Sequence, residues 1–276
     1  MAISDGVFSI KKPLIFLWRD IIEDTSYKLS FAMRIIGICS STLVYFFLSK
    51  LFADVGTPYL APYGGNYFSF VLIGVAFFSY LGVSVQSVSG SIREGQTLGT
   101  LEALLVTQTE IPTIIVSSSL YGFLWATAEV AAYLFLGVVV FGIDVRQANL
   151  AGALLILCLT IISFTSVGIM SASFVMVLKR GDPVAWIFTG LSALLGGLYY
   201  PVAVLPQWLQ SIANLLPVTY ALEGMRLSIL KGYSLQQLLP NIAALIIFSC
   251  IMMPLSIITF GYAVKKAKRD GSLTQY

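Results

Sequence analysis

An all-α polytopic membrane protein with six transmembrane helices is the fold this sequence predicts, and three observations predict it. Hydrophobic residues make up 58% of the chain and charged residues 11%, a balance that excludes a soluble globular domain. Mean hydropathy is +0.89. The apolar residues gather into long segments, each near or above the roughly 20 residues a helix needs to cross hydrocarbon. The third observation is where the basic residues fall. Six crossings put both termini on one side. The termini and residues 91–110 and 179–183 hold Lys11, Lys12, Arg19, Lys28, Arg34, Arg93, Lys179, Arg180, Lys265, Lys266, Lys268 and Arg269. The other side holds only Lys50, Arg146, Arg226 and Lys231. Basic residues concentrate on the cytoplasmic face, so both termini are expected in the cytoplasm and the chain in the inner (plasma) membrane.

The elements follow in order. Residues 1–28 read as a cytoplasmic amphipathic helix, with Phe8, Leu14, Ile15, Leu17, Trp18, Ile21 and Ile22 as its apolar part. Its basic flanks suit the membrane surface, and packing beneath neighbouring spans is the alternative. No apolar run precedes a small-residue cleavage site, so no cleaved signal peptide is expected. Spans are expected at residues 29–51, 67–90, 111–142, 149–178, 183–200 and 241–264, within a transmembrane domain of residues 29–264. Tilt or projection beyond the bilayer accommodates the longest. A basic cytoplasmic tail occupies residues 265–276. Between the last two spans, residues 201–232 carry Pro201, Pro206 and Pro217 and apolar stretches too short to cross a bilayer. Proline sits well at the first positions of a helix, so these stretches read as re-entrant or interfacial helices at the external end.

Residues 93–107 form a charged, helix-compatible island between two apolar segments. Leu98, Leu101 and Leu105 recur at three- and four-residue spacing, while Glu94, Gln96 and Glu102 keep the segment out of hydrocarbon. A tight loop needs fewer polar residues; an amphipathic helix here presents a surface to something. Glu94, Gly99-Thr100-Leu101-Glu102, Leu104-Leu105 and Thr107 resemble the coupling helix of ABC-2 type transporter permeases. Gln108 stands where many members of that family have proline. Tyr199-Tyr200-Pro201, the run to Trp208, Leu215-Leu216-Pro217 and the trio Tyr220, Glu223 and Arg226 resemble the same family's C-terminal half.

The resemblance implies the membrane half of an ATP-driven exporter. On that reading Glu94, Gly99, Thr100, Leu101, Glu102 and Leu105 contact a separate cytoplasmic ABC ATPase, present in two copies. ATP and Mg bind to that partner, and no cofactor binds to this chain. A second permease copy, most simply in a homodimer, and membrane lipids complete the partners; the small net charge of +3 gives no reason to invoke nucleic acid. The cargo class is a lipid, a glycan-lipid, a drug or a similar amphiphile.

Absent motifs agree with a transport subunit that is not itself an enzyme. The chain has no phosphate-binding G-x-x-x-x-G-K-[ST] motif and no histidine, and its acidic residues form no close pair for acid–base work. Cys39, Cys158 and Cys250 lie in apolar segments without a CxxC pair, which argues against zinc or haem. The alternative is a stand-alone secondary transporter or lipid-modifying enzyme. An ion-coupled transporter should place several ionisable residues in its spans, and only Glu129 sits well inside one.

Several residues are candidates for the translocation path or for packing. Ala185, Thr189, Ala193 and Gly197 recur every fourth residue, a spacing that lets helix backbones approach closely. Tyr67, Phe70, Phe77, Phe78 and Tyr80 give the second span an aromatic character suited to an amphiphile or to packing. Tyr200 ends the fifth span. Glu129 is expected to be protonated and to donate a hydrogen bond to a Ser or Thr of another span, or to lie on the path. Glu223 and Arg226, three residues apart, are expected to pair on one helical face at the external end.

Overall fold

Long runs of Leu, Ile, Val, Ala and Phe satisfy their backbone groups inside a bilayer by forming helices. The computed structural model describes residues 28–51, 57–97, 111–178 and 181–269, with Trp18, Ile21 and Ile22 of the N-terminal segment. Its long helices are α1 (Lys28–Leu51), α2 (Tyr67–Thr97), α3 (Ile111–Phe135) and α4 (Leu150–Leu178). A π turn, Leu136–Val140, prolongs α3. Three shorter helices follow, α5 (Pro183–Leu195), α6 (Gln207–Ala213) and α7 (Pro217–Lys231), before the long α8 (Leu239–Arg269). The remainder of the expected N-terminal helix and the end of the basic tail lie outside the described residues.

Five helices among the described residues are long and apolar enough to cross a membrane: α1, α2, α3, α4 and α8. The fold is therefore all-α and polytopic, and the helix expected at 183–200 is shorter than the sequence suggests. α5 has 13 residues, about 20 Å of helix against a hydrocarbon core of about 30 Å. Gly196 and Gly197 stop it. Gly197 adopts φ +76°, and the chain bends through residues 196–200.

Burial separates a central helix from a peripheral one. In α2, 67% of the apolar window is buried, against 11% in α1. Phe70, Val71, Leu72, Ile73, Ala76, Leu81 and Val85 of α2 are wholly enclosed. The helix packs most extensively against α4, which in turn packs against α8. Hydroxyls join the helices: Ser41 to Tyr133, Tyr80 to Thr127 and Ser87 to Ser119 at 2.8 Å each, and Ser163 to Ser249 at 2.7 Å. Inside a membrane each such bond contributes only about 0.6 kcal/mol on average, so they set register more than they supply stability.

α7 is the surprise of the segment at 201–232. Sequence left it a choice between an interfacial and an inserted helix. Val218, Thr219, Ala221, Leu222, Gly224, Met225, Arg226, Leu227, Ser228 and Ile229 are buried. The helix packs against α4, α8 and α2. Its start is tied to α6, because Thr219 Oγ1 donates to the Ala213 carbonyl at 2.6 Å and the Tyr220 hydroxyl to that of Asn214 at 2.9 Å. The Tyr220 hydroxyl satisfies a carbonyl at the end of α6, and Thr219 adds a second donor to the Ala213 carbonyl, which also accepts from the Leu216 amide.

Each end of the bundle is fixed by side-chain caps. Asn66 Oδ1 accepts from the Phe68 amide at 2.9 Å at the start of α2. Asn149 Oδ1 accepts from Gly152 at 3.0 Å at the start of α4, and Asn149 Nδ2 donates to the Tyr233 carbonyl at 2.8 Å. At the opposite end Asp182 caps α5 by accepting from the Ala185 amide at 3.0 Å, and it also accepts from the Ser171 hydroxyl of α4. Beside Asn149, Gly232 closes α7 at φ +65°, and a Cβ there would lie 2.2 Å from the Gln147 carbonyl oxygen. Gly232→Ala is expected to lower the thermal transition of the detergent-solubilised protein. The left-handed backbone alone costs an alanine about 1–2 kcal/mol, and the clash adds to it. An unshifted transition would show that the loop at residues 145–149 yields freely.

Candidate functional site

Among the described residues, a dense polar junction is built around Arg226. Its side chain springs from the middle of α7 and leans toward that helix's N-terminus, as helical side chains do. There it meets two other segments. Nε donates to the Phe70 carbonyl at 2.9 Å, Nη1 to Gly197 at 2.8 Å and Nη2 to Leu198 at 2.9 Å. The guanidinium stacks on the Phe70 ring, with Cζ 3.5 Å from the centroid. The residue is 2% exposed.

Local sequence explains why the acceptors are available. α5 ends at Leu195, so the carbonyls of Gly197 and Leu198 have no following helical turn to bond. The C-terminal end of a helix also carries partial negative charge, which favours a cation beside it. Gly74 makes the space: a Cβ at that position would sit 2.2 Å from Arg226 Nη2 and 2.9 Å from the Leu198 oxygen.

The pairing expected between Glu223 and Arg226 is replaced by separate partners. Glu223 accepts from Asn241 Nδ2 of α8 at 3.1 Å, while the arginine serves the three carbonyls. The two residues do sit three apart on α7, but the arginine's reach takes its charged head away from the helix surface. Sequence reasoning counted Phe70 only among the aromatic residues of the second span and missed Gly74 altogether. The doublet Gly196-Gly197 was the available sign that a helix stops there and leaves carbonyls to satisfy.

The small-residue stripe is likewise shorter than its spacing implies. Ala185 is buried and Thr189 and Ala193 are partly buried on α5, but Gly197 lies beyond the helix end. The opposite face exposes Trp186, Ile187, Leu191 and Leu194. The hydroxyls of Thr189 and Ser192 are enclosed without a hydrogen-bond partner within the described residues. Tyr200 donates its hydroxyl to the Leu194 carbonyl and so folds the chain back on α5. Phe77 and Phe78 line a gap of about 10 Å3 shared with Leu81, Thr160, Phe164 and Ala221. That is space for one water at most, so the two rings pack here between α2, α4 and α7.

Glu129 has a cation nearer than the sequence suggests. Arg34 of α1 lies over the Trp125 ring, with Cζ 4.7 Å from the centroid. Trp125 is one turn before Glu129 on the same face of α3. The charge of Arg34 acts on the half-buried carboxyl. Helix offset explains the difference. Phe31 packs on Trp125 at 5.7 Å and Ser41 bonds Tyr133, so the two helices run parallel with Arg34 level with the stretch between Trp125 and Glu129. If the two charges support one another, Arg34→Gln and Glu129→Gln should each lower the yield of assembled protein. The double substitution should then lose less than the sum of the singles. Strict additivity, measured by size-exclusion yield, would show that they act independently.

The coupling segment is described only at its beginning. α2 continues through Thr97, seven residues past the expected end of the span at Gly90, so Glu94 lies on a helix continuous with α2. Gly99, Thr100, Leu101, Glu102 and Leu105 lie outside the described residues. No three metal-ligating side chains come together among the described residues.

Comparison with known proteins covers most of this architecture. The ABC-2 type transporter family matches residues 14–230, from the N-terminal segment almost to the end of α7. The chain is similar to the inner membrane transport permease YadH of Escherichia coli K12, at 24% identity over 220 residues, 76% of this chain and 80% of that protein. It is also similar to the linearmycin resistance permease protein LnrN of Bacillus subtilis 168, at 25% identity over 178 residues, 61% of this chain and 43% of that one.

Proposed function

We propose that this chain, which belongs to the ABC-2 type transporter family, works as one of two permease copies bound to two copies of a cytoplasmic ABC ATPase. The chain is a multi-pass inner-membrane permease, a transport subunit that moves its substrate with energy from a partner ATPase. The observation that carries this reading is the family match running unbroken through α1 to α7. ATP and Mg would bind to the partner. Residues 93–107 would transmit its movements through α2, which extends past the apolar window toward that segment.

In this reading α5 is the sixth crossing despite its length. Its start is bonded to Ser171, well inside the end of α4, and its end is held to Phe70 near the start of α2. On this reading the 13-residue helix and the bend at residues 196–200 together complete the crossing. α6 and α7 would form a re-entrant hairpin, supported by the burial of α7. Six crossings place both termini in the cytoplasm, and an impermeant maleimide should label a cysteine at the exposed Tyr59 from outside intact cells.

The gap at Phe77 and Phe78 is too small for cargo. The path is placed between permease copies, walled by α2, α5 and the α6–α7 hairpin. The cargo is an amphiphile, and linearmycin is the first compound to test, since one relative is named a linearmycin resistance permease protein. The experiment is ATP hydrolysis by the reconstituted permease–ATPase complex against a panel of lipids, glycolipids and drugs. One class should stimulate hydrolysis. Failure of the chain to bind any ABC ATPase would overturn the assembly.

A further inference from the structure

Arg226 does more than fill space: it is the point where three segments far apart in sequence are held by one rigid planar group. The start of α2 offers the Phe70 carbonyl and ring, the end of α5 offers Gly197 and Leu198, and α7 supplies the arginine. A guanidinium presents its donors in a fixed fork, so acceptors in three directions cannot shift independently while all remain bonded. Leaving any one of these groups buried and unbonded is unfavourable, which makes piecemeal opening costly. Packing reinforces the junction. A Cβ on Gly196 would lie 2.3 Å from Val218 Cγ1, so the end of α5 rests directly against the first turn of α7.

We propose that Arg226 is a positioning residue that fuses the start of α2, the end of α5 and α7 into one rigid body, which moves as a unit when the permease changes state. The inference rests on the permease reading above and is independent of the number of crossings. α2 leads toward the coupling segment at one end and carries Phe70 at the other. Motion delivered to α2 would thus reach α5 and α7 without an intervening hinge. Opening at the Phe70 end then takes place around this unit, against the rest of the bundle or a second copy, and not within it.

The test replaces the arginine's grip with a covalent one. In a chain with Cys39, Cys158 and Cys250 changed to serine, Gly196→Cys and Val218→Cys place two thiols within disulfide reach once the end of α5 yields slightly, since a Cβ at residue 196 also lies 2.5 Å from the Ser192 carbonyl oxygen. The permease is reconstituted with its ATPase, and ATP hydrolysis by the complex is compared before and after oxidation. The oxidised complex should keep hydrolysis within about twofold of the reduced one, because a rigid body loses nothing when tied. Arg226→Lys should lower hydrolysis by roughly fivefold, within the range of substitutions that weaken coupling, and the disulfide should restore most of it.

Gly74→Ala, which keeps the arginine but occupies its space, should behave as Arg226→Lys does. Loss of hydrolysis on oxidation, reversed by reductant, would overturn the proposal by showing that the junction opens during the cycle. A folded Arg226→Lys variant that the disulfide does not rescue would also overturn it, since the arginine would then act by some route other than holding α5 to α7. If neither substituted chain folds, the oxidised and reduced forms of the parent chain still decide. Failure of the chain with native Gly196 and Val218 to bind and stimulate the ATPase would count against the permease assembly itself and not against the rigid junction.

Discussion

Arg226→Ala is expected to remove most of the folded permease from the membrane. The substitution leaves the Gly197 and Leu198 carbonyls without donors and strips the cation from the face of Phe70. An orphaned buried polar group costs about 1–3 kcal/mol, and the emptied volume adds to it. The Phe70 carbonyl is affected least, because it lies inside α2 and keeps its own helical turn. Against a typical net stability of about 5–15 kcal/mol, losses of this size deplete the folded state severely.

Arg226→Met separates the contributions, since it fills much of the volume but donates nothing. It should recover part of the yield and leave the end of α5 loosely held. Size-exclusion chromatography of the extracted protein, with equal expression, measures both. An alanine variant eluting at wild-type yield would mean that the carbonyls find water or other donors, and that the junction contributes little to folding.

The long helices were legible from the sequence because hydropathy reports the one property a bilayer selects. The expected spans 29–51 and 149–178 match α1 and α4 to within a residue. Hydropathy failed at α5 for a physical reason. Leu198, Tyr199 and Tyr200 continue the uncharged, largely apolar run, while Gly196 and Gly197 end the helix through backbone conformation and not through polarity.

The site was harder still. Spacing along one helix finds neighbours three and four residues apart, so it joined Glu223 to Arg226. The real acceptor on α2 lies 156 residues away, and nothing local announces it. The same limit hid Arg34 from Glu129. Each was placed by its depth in its own span, and the relative shift of α1 and α3 is set by contacts such as Phe31 with Trp125. Gly74 gave no signal at all, since a glycine in an apolar helix matters only through what approaches it.

The coupling segment reverses this balance, being clear in sequence and outside the described residues, and it supports the other large prediction. α2 runs unbroken to Thr97, so a helix projecting from the bundle leads into Leu98, Leu101 and Leu105. Their three- and four-residue spacing puts them on one face if the segment is helical. Such a face has to be covered, and the proposed cover is the ATPase. Leu101→Asp with Leu105→Asp would force two carboxylates into that contact. Burying charge without a partner is unfavourable enough to break an interface or shift the group to its neutral form.

The double variant should therefore fold and insert normally, because both positions lie beyond the apolar window that ends at Arg93. It should fail to copurify with the ATPase, or should bind without stimulating hydrolysis. Glu94→Gln and Glu102→Gln should have smaller effects, since exposed charge pairs contribute only about 0–1 kcal/mol. Pull-down of the ATPase and its rate of ATP hydrolysis in vesicles give the two readouts. A double aspartate variant that copurifies and stimulates hydrolysis like the parent chain would place the contact elsewhere on the cytoplasmic face, with the stretch between α4 and α5 as the next segment to test.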